Sequence, residues 1–406
     1  MIRARVNNLK LSHGVLWQAI AVACLAVLSP AYAQSGTWIY VLTDNDTISV
    51  FNADIYPAGD PIKIDNIGAF AASPDGSRLY VTSGGLGHGA VVVVDTVTHA
   101  VAATINLPVH TGNVWTNLPG IAVTPDGEHV YVSDSNDGVV LVIETTSNTL
   151  VVPPIALGDA VSPGYPDSLV ISPNGQRVYA LDGGESVAVW VINTVSNTVS
   201  SSIFMSAAES HSLAISPDGT RLYASDDVGF VWVVDTASDR VIASILVGDA
   251  NENQPGAMAV TPDGKRLFVL TDVVLAIDTA TNFIVGAAPI LYPSAIAVGS
   301  NGLAYVASGG AMWMFDTDLL EGGSGPLLGN SVNQIVIAPV PQATPRPLEC
   351  VGDCNGDHQV TVTEILTMVN MALGNGGTCP NGLAAGVTPD VSAILTAVNN
   401  VMDGCR

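Results

Sequence analysis

A four-residue phrase, Ser/Thr-Pro-Asp/Asn-Gly, recurs along the chain and constrains its fold more than any other feature. Five copies begin at Ser73, Thr124, Ser172, Ser216 and Thr261, and a degenerate copy spans Gly299–Gly302. Proline sets φ at the first turn position, and glycine accepts the left-handed conformation that follows. Since apolar and aromatic runs flank each copy, the phrase predicts a hairpin between two short strands in every repeat.

A second marker, an aromatic residue in the strand after each turn, sets the number of repeats. Its copies are Tyr40, Tyr80, Tyr131, Tyr179, Tyr223, Phe268 and Tyr305. Their mean spacing of about 44 residues lies in the range of propeller repeats. A third marker, typified by Asp95-Thr96, indicates a second tight turn, so that each repeat contains four strands. Seven four-stranded units predict an all-β, seven-bladed β-propeller over residues 34–338.

The first and last segments of this region complement each other. The first repeat lacks an opening strand and a Pro-Asp-Gly turn, whereas the end of the region supplies a spare strand at Asn333–Pro339. The two together complete the seventh blade. We therefore expect a C-terminal strand to close the ring and to remove its open edges.

The composition excludes several classes of protein. Charged residues make up 12% of the 406, about half the usual ~25%, and the net charge is −24. Apolar residues make up 48%, which argues against a disordered or coiled-coil chain. Because an acidic surface repels nucleic acid, we expect no nucleic-acid partner; cations or basic partners are favoured.

Residues 1–33 have the pattern of a signal peptide. A basic start precedes an apolar stretch over 15–28, and Ala31-Tyr32-Ala33 is a cleavage site. The stretch is too short to favour a membrane span. A lipoprotein anchor at Cys24 is the alternative, but leucine is absent three positions upstream. We expect export, with no membrane span after cleavage, to the outside or surface of the cell; the periplasm is the other destination.

A proline-rich linker at 339–348 leads into a small module at 349–406. Four cysteines lie in this module, at positions 350, 354, 379 and 405. An even number of cysteines in an exported chain predicts two disulfides, and three pairings are open.

The start of the module carries the pattern of an EF-hand loop followed by a helix. The oxygen-bearing residues at loop positions 1, 3, 5, 7, 9 and 12 are Asp353, Asn355, Asp357, Gln359, Thr361 and Glu364. This spacing predicts a calcium site, because a hard cation requires oxygen ligands and a final bidentate carboxylate. His358 replaces the usual glycine at position 6, so we expect weak affinity. The alternative is a surface turn that caps a helix.

Two resemblances follow from these motifs. Tyr80-Val81-Thr82 and Tyr131-Val132-Ser133 resemble the YVTN β-propeller repeats of exported and surface-layer proteins. The resemblance covers about three quarters of the chain and implies little about chemistry. A second copy of the loop, 29 residues after the first, has lost its ligands. The pair resembles a dockerin-like module with one inactive loop, which implies a cohesin-like partner.

The loops between the second and third strands of the blades form a candidate ligand face with the loops between blades. Five of these loops begin with an acid, and these are Asp44, Asp134, Asp182, Asp226 and Asp272. His88, His110 and His211 fall on the same face. An acidic mouth suits a cation, a sugar or a basic peptide, with a histidine as a general base. The alternative is that aspartate only begins a turn.

Two functions remain open from the sequence. The first, favoured by the rigid acidic platform and the calcium loop, is an exported, non-enzymatic binding or scaffold protein. Its propeller would bind a protein or glycan at the cell surface, and its tail would dock or anchor in a calcium-dependent way. The alternative is a propeller hydrolase or lyase that acts on a lactone or sugar acid, which the family resemblance and the histidines support.

Overall fold

The computed structural model describes residues 36–44, 46–108, 116–158, 164–184, 187–206, 210–248, 254–320, 322–328, 331–341, 354, 361–373 and 379. The predicted signal peptide lies outside these residues, as do His110 and much of the segment after residue 341. The chain divides into two compact units, Met1–Val340 and Pro341–Arg406. Among the described residues, no helix is long and apolar enough to cross a membrane.

The first unit consists of seven blades, each an antiparallel sheet of four strands. Blade 1 contains β1 (Thr37–Thr43), β2 (Thr47–Asn52) and β3 (Ile62–Lys63). Blade 2 contains β4 (Ile67–Ala72), β5 (Arg78–Gly85), β6 (His88–Asp95) and β7 (Ala100–Asn106). Blade 3 contains β8 (Ile121–Val123), β9 (His129–Asp134), β10 (Val139–Glu144) and β11 (Thr149–Ala156). Blade 4 contains β12 (Pro166–Ile171), β13 (Arg177–Asp182), β14 (Val187–Asn193) and β15 (Thr198–Ser206).

The same pattern continues to the end of the unit. Blade 5 contains β16 (Ser210–Ile215), β17 (Arg221–Asp226), β18 (Phe230–Asp235) and β19 (Arg240–Leu246). Blade 6 contains β20 (Met258–Val260), β21 (Arg266–Leu270), β22 (Val274–Asp278) and β23 (Phe283–Ala288). Blade 7 contains β24 (Pro293–Val298), β25 (Leu303–Ser308), β26 (Ala311–Asp316) and β27 (Gly322–Leu327). The last strand, β28 (Val332–Pro339), joins blade 1. The predicted seven-bladed propeller with a closing C-terminal strand is confirmed.

The closing strand links the two ends of the unit through main-chain and side-chain hydrogen bonds. β28 pairs with β1 in an antiparallel register that runs from Thr37 opposite Pro339 to Thr43 opposite Val332. The side-chain amide of Gln334 continues the closure into blade 2: its Nε2 donates to the carbonyl of Phe70, and its Oε1 accepts from the amide of Phe70, each at 3.0 Å. The side-chain amide of Gln334 thus takes the place of a main-chain peptide group and links the innermost strands of blades 1 and 2.

The aromatic markers form the core between blades. All seven, one in the second strand of each blade, are at most 1% exposed. Burying a side chain of this size stabilises the fold by roughly 1.5–3 kcal/mol. The hydroxyl of Tyr131 reaches the next blade, where it donates to Asn197 Oδ1 at 2.7 Å. Burial raises the pKa of Tyr131 to about 12, so that this hydroxyl stays protonated and remains a donor.

A buried threonine locks the two turns of a blade together. In blade 6, Thr261 Oγ1 donates to Asp263 Oδ1 at 2.7 Å, and Gly264 has φ of 72°. Thr279, in the second turn, then donates from Oγ1 to the carbonyl of Gly264 at 2.6 Å. The same threonine-to-glycine bond occurs in six blades: Thr96 to Gly76, Thr145 to Gly127, Thr194 to Gly175, Thr236 to Gly219, Thr279 to Gly264 and Thr317 to Gly302. The third sequence marker therefore supplies a fixed hydrogen-bond donor besides starting a turn.

Replacing Gln334 by leucine tests the closure. The variant leaves the buried N–H and C=O of Phe70 without their partners, so we expect the free energy of unfolding in urea to fall by about 2 kcal/mol or more. Gln176→Leu, at an exposed turn position of blade 4, is the control and should change it by less than about 0.5 kcal/mol. Equal losses in the two variants would contradict a special role for Gln334.

The turn aspartates predict acid sensitivity. The hydroxyl of Thr261 and the amide of Lys265 lower the pKa of Asp263 to about 2, and hydroxyls of Ser216 and Thr124 lower the pKa values of Asp218 and Asp126. A carboxylate with a lowered folded-state pKa contributes stability that is complete above its unfolded value, about 4. The contribution is lost as pH falls from there towards about 2.

Urea unfolding between about pH 6 and about pH 2.5 measures this loss. Asp263→Asn is the matched variant, because blade 4 carries Asn174 at the equivalent position and its Oδ1 accepts from Ser172 Oγ at 2.7 Å. We expect the variant to lose less stability below about pH 4 than the unmodified chain does. An identical dependence on pH would refute the assignment to Asp263.

Candidate functional site

The loops between second and third strands lie on one face of the propeller with the loops between blades. In blade 2, the amide of Thr116, before β8, donates to the carbonyl of Gly85, at the end of β5, at 3.0 Å. In blade 4, the amide of Gly183, after β13, donates to the carbonyl of Tyr165, before β12, at 2.8 Å. We call this the mouth face. The Pro-Asp-Gly turns and the Asp-Thr turns lie on the other, the turn face.

Three of the five predicted mouth-face carboxylates accept hydrogen bonds from their own loops. Asp226 is fully buried; its Oδ1 accepts from the amide of Phe230 at 2.8 Å, and its Oδ2 accepts from Trp232 Nε1 at 2.8 Å. Asp182 repeats this pattern, with Trp190 Nε1 at 3.0 Å from Oδ2. Asp134 is buried, and its Oδ1 accepts from the amide of Asn136 at 3.2 Å. These carboxylates hold turns and indole rings in place.

The other two carboxylates are exposed to solvent. Asp44 has φ of 52°, and its amide donates to the carbonyl of Ser331 at 3.3 Å, which places it beside the closing strand. Asp272 is also exposed, and its carbonyl accepts from the amide of Tyr292 at 2.8 Å. Of the five aspartates, these two present their carboxylates most openly to a ligand.

A cleft on the mouth face surrounds Asp44. Its volume is about 570 Å³, and it lies between blade 7 and the closing strand. Small and polar residues line it: Asp44, Ser294, Gly309, Gly310, Ser331, Val332 and Asn333. A lining of this kind leaves backbone groups accessible and suits a polar ligand.

Of the three predicted histidines, the structure describes the side chain of His88 alone. His88 is exposed, and its Nδ1 lies 2.8 Å from the carbonyl oxygen of Leu86. His211 lies in β16, but its side chain is outside the described part of the chain, as is all of His110. The structure therefore brings no histidine and aspartate side chains of the predicted set together within its described residues.

The turn face carries clefts that the sequence analysis did not anticipate. Three equivalent clefts, of about 570, 530 and 250 Å³, lie between blades 2 and 3, 5 and 6, and 4 and 5. An arginine lines each cleft and donates from Nη1 to a turn carbonyl of the next blade, the pairs being Arg78 with Thr145, Arg177 with Thr236 and Arg221 with Thr279. The sequence carries a signal for these clefts, because an arginine lies five residues after the Ser or Thr of several copies of the repeat phrase. These arginines bridge blades.

The second unit contains the predicted exit helix, α1 (Val362–Ala372). Thr361 is its N-cap, and Thr361 and Glu364 form a capping box: Thr361 Oγ1 accepts from the amide of Glu364, and Glu364 Oε2 accepts from the amide of Thr361 at 2.8 Å. Glu364 and Met368 form the buried side of the helix.

The Glu364 carboxylate also points back towards the start of the predicted calcium loop. Its Oε1 accepts from the amide of Cys354, at loop position 2, at 3.0 Å, and the side chain is 6% exposed. A disulfide joins Cys354 to Cys379, whereas Cys350 and Cys405 lie outside the described residues. A buried carboxylate that faces the loop fits a calcium ligand at position 12.

The remaining predicted calcium ligands, Asp353, Asn355, Asp357 and Gln359, lie outside the described residues. Within the residues that are described, no three His, Cys, Asp or Glu side chains gather as a metal-binding group. Calcium binding at this loop therefore stays a prediction. The position of the Glu364 carboxylate is compatible with it.

Comparison with known proteins identifies the fold and no family. No protein-family model matches the chain, and neither does any curated protein. A chain of Kuenenia stuttgartiensis hydrazine synthase is similar in structure, with a TM-score of 0.54 and 27% sequence identity. The match covers 65% of this chain and 80% of that one. This likeness agrees with the propeller architecture.

Substitution of the mouth-face aspartates tests which of them stabilise the fold. Asp226→Asn places an amide N–H₂ where the indole N–H of Trp232 needs an acceptor, so we expect a loss of about 1–3 kcal/mol in the free energy of unfolding. Asp272→Asn, on the exposed surface, should change it by less than about 0.5 kcal/mol. Urea unfolding followed by tryptophan fluorescence gives both values, and an unaffected Asp226→Asn variant would contradict the structural role.

Proposed function

We propose that this chain is an exported, non-enzymatic binding or scaffold protein of the YVTN propeller type. Its propeller presents a face for a protein or glycan partner, and its C-terminal dockerin-like module docks in a calcium-dependent manner. The single observation that carries the proposal is the Glu364 carboxylate, buried and turned towards the start of the loop.

The geometry of Glu364 favours an ion-binding loop over a simple helix cap. A capping box needs one carboxylate oxygen on the N-cap amide, and Oε2 fills that role. The second oxygen, Oε1, reaches back ten residues to the amide of Cys354. A final EF-hand ligand must span this same distance, because it closes the coordination of an ion bound by the first loop residues.

The propeller supports a platform role. The ring of blades is closed. Three of the five mouth-face aspartates stabilise its loops by accepting hydrogen bonds from amide and indole N–H groups. Asp44, in its polar cleft, and Asp272 remain exposed for a partner. Since the chain carries a net charge of −24, a partner with cationic or hydroxyl groups suits this face.

Export accords with the covalent chemistry of the second unit. The Cys354–Cys379 disulfide belongs to oxidising compartments, where such bonds persist. A signal peptide at 1–33 would deliver the chain there. The cell surface is the proposed location, and a cohesin-like protein is the proposed partner of the module.

Calorimetric titration of calcium into the mature chain tests the proposal. We expect saturable binding of one ion with Kd of about 10⁻⁴ M or weaker. Glu364→Gln and Asp357→Asn should each remove it, the first by taking away the final carboxylate and the second by removing a loop acid outside the capping box. Thr363→Ala, at an exposed position of α1, is the matched control and should bind as the unmodified chain does.

Two results would oppose the proposal. Absence of binding in the unmodified chain would leave the loop as a helix cap. Unchanged binding in Asp357→Asn and Glu364→Gln would place the ion elsewhere.

A further inference from the structure

We propose that the turn-face cleft between blades 5 and 6 binds a neutral sugar unit of a glycan, through the buried hydroxyl of Tyr223 and the guanidinium of Arg221. The site lies on the face opposite the mouth face and needs no calcium. It is therefore independent of the calcium-dependent docking proposed above.

The cleft has the size and the lining of a site for a small polar molecule. Its volume is about 530 Å³, within the range of about 300–1,000 Å³ that is typical of small-molecule sites. The rings of Pro217 and Pro262 supply apolar surface, and Asp218, Asp263 and Arg221 supply polar groups. The equivalent cleft between blades 4 and 5 has a volume of about 250 Å³. Of the two, the cleft between blades 5 and 6 reaches the size of a binding site.

The hydroxyl of Tyr223 is the feature that points to a ligand. Tyr223 is fully buried and lines the cleft. Among the described residues, none forms a hydrogen bond with this hydroxyl. Burial raises the pKa of Tyr223 despite the nearby guanidinium of Arg221, which lies outside hydrogen-bond geometry, so the hydroxyl stays a donor. A buried donor without an acceptor costs free energy, and a ligand oxygen that accepts from it recovers that cost.

The equivalent groups at two other blade junctions are satisfied within the protein. Between blades 3 and 4, the hydroxyl of Tyr131 donates to Asn197 Oδ1 at 2.7 Å. Between blades 4 and 5, Arg177 Nη1 donates to the carbonyl of Thr236 at 2.8 Å and to Asp239 Oδ1 at 3.0 Å. These junctions show which internal contacts the repeat can make.

At the junction of blades 5 and 6 the corresponding pair does not form. Asn282 takes the position of Asn197, with φ of 59°, in the same turn as the cleft residues Thr279 and Ala280. Its Oδ1 is buried and, like the hydroxyl of Tyr223, has no hydrogen-bond partner in the described part of the chain. An alcohol hydroxyl can accept from the phenol and donate to the amide oxygen. The junction thus offers a donor and an acceptor that suit a sugar.

The charged groups at the cleft balance, which favours a neutral ligand over an ionic one. Asp218 and Asp263 are acidic, Arg221 is basic, and Lys265 Nζ lies 3.0 Å from Asp263 Oδ2. Arg221 Nη1 donates to the carbonyl of Thr279, and the guanidinium carries four further N–H donors. Sugar oxygens can accept from this guanidinium, and sugar hydroxyls can donate to the carboxylates. An anionic sugar would meet two carboxylates at the same cleft.

Binding of oligosaccharides to the full chain in EDTA is the first test. An array of neutral oligosaccharides of glucose, galactose, mannose, xylose and N-acetylglucosamine is the probe, with oligogalacturonates and hexalysine as ionic comparisons. We expect a neutral probe to bind with Kd of about 10⁻³ M or tighter, measured by calorimetry, and the ionic probes to bind more weakly. Absence of neutral binding, or tighter binding of an ionic probe, would overturn the proposal. Because EDTA removes calcium, neither result bears on the docking module.

Two tyrosine variants separate ligand binding from support of the fold. Tyr223→Phe removes the hydroxyl that has no internal partner, so the saccharide should bind about two- to tenfold more weakly while the urea midpoint does not fall. Tyr131→Phe removes a hydroxyl bonded to Asn197, so it should lower the urea midpoint and leave binding unchanged. Undiminished binding in Tyr223→Phe would contradict the assigned role of its hydroxyl.

A bulky side chain in the cleft gives a further test that removes no internal hydrogen bond. Ala280 is exposed and lines this cleft, and Ala237 is its exposed counterpart in the cleft between blades 4 and 5. Ala280→Trp should weaken saccharide binding at least about tenfold by steric exclusion, whereas Ala237→Trp, the matched control, should bind within about twofold of the unmodified chain. Equal affinities in these two variants would place the saccharide elsewhere and refute the proposal.

Discussion

The antiparallel pairing of β28 with β1 is the constraint on which the rest of the propeller depends. Each blade buries its two faces only against its neighbours, so an open ring would leave one blade uncovered on each side. Blade 1 begins with no inner strand of its own, and its outer strand, β3, spans only Ile62–Lys63. β28 supplies the missing strand, and Gln334 carries the connection on to β4. A contact between residues some 300 positions apart thus closes the seven blades into one ring.

Once the ring is closed, the turn face keeps neighbouring blades in register. The threonine-to-glycine bond holds the two turns of a blade together, and the arginines bond to the turn of the next blade. Arg177 also pairs with Asp239 at 3.0 Å, but the pair is partly exposed and worth little by itself. The effect comes from repetition, since an arginine meets the equivalent turn carbonyl at three blade junctions.

The mouth face and the C-terminal unit show how one type of side chain serves different purposes. Asp226 and Asp182 are held by indole and amide donors and support their loops, whereas Asp44 and Asp272 face solvent. Glu364 is buried, and both of its oxygens accept hydrogen bonds: Oε2 from the N-cap amide of Thr361 and Oε1 from the amide of Cys354. In a unit of this size a covalent link contributes order that a small core does not supply.

The sequence by itself determined the local structure and the number of repeats. Pro-Asp-Gly turns, buried aromatic residues at a regular period and the spare strand at Asn333–Pro339 are local or periodic signals, and they were sufficient to predict seven blades and their closure. The exit helix after Thr361 was likewise readable from its pattern.

Only the tertiary structure decided what the polar side chains do. An aspartate at the start of a loop has the same sequence signal whether it accepts from a tryptophan indole, as Asp226 does, or faces solvent, as Asp272 does. The indole donor of Asp226 lies only six residues further along the chain, but the folded hairpin decides whether the two side chains meet at hydrogen-bond distance. The arginine bridges, the Gln334 contact and the choice of Cys379 for Cys354 depend on neighbours that are remote in the chain.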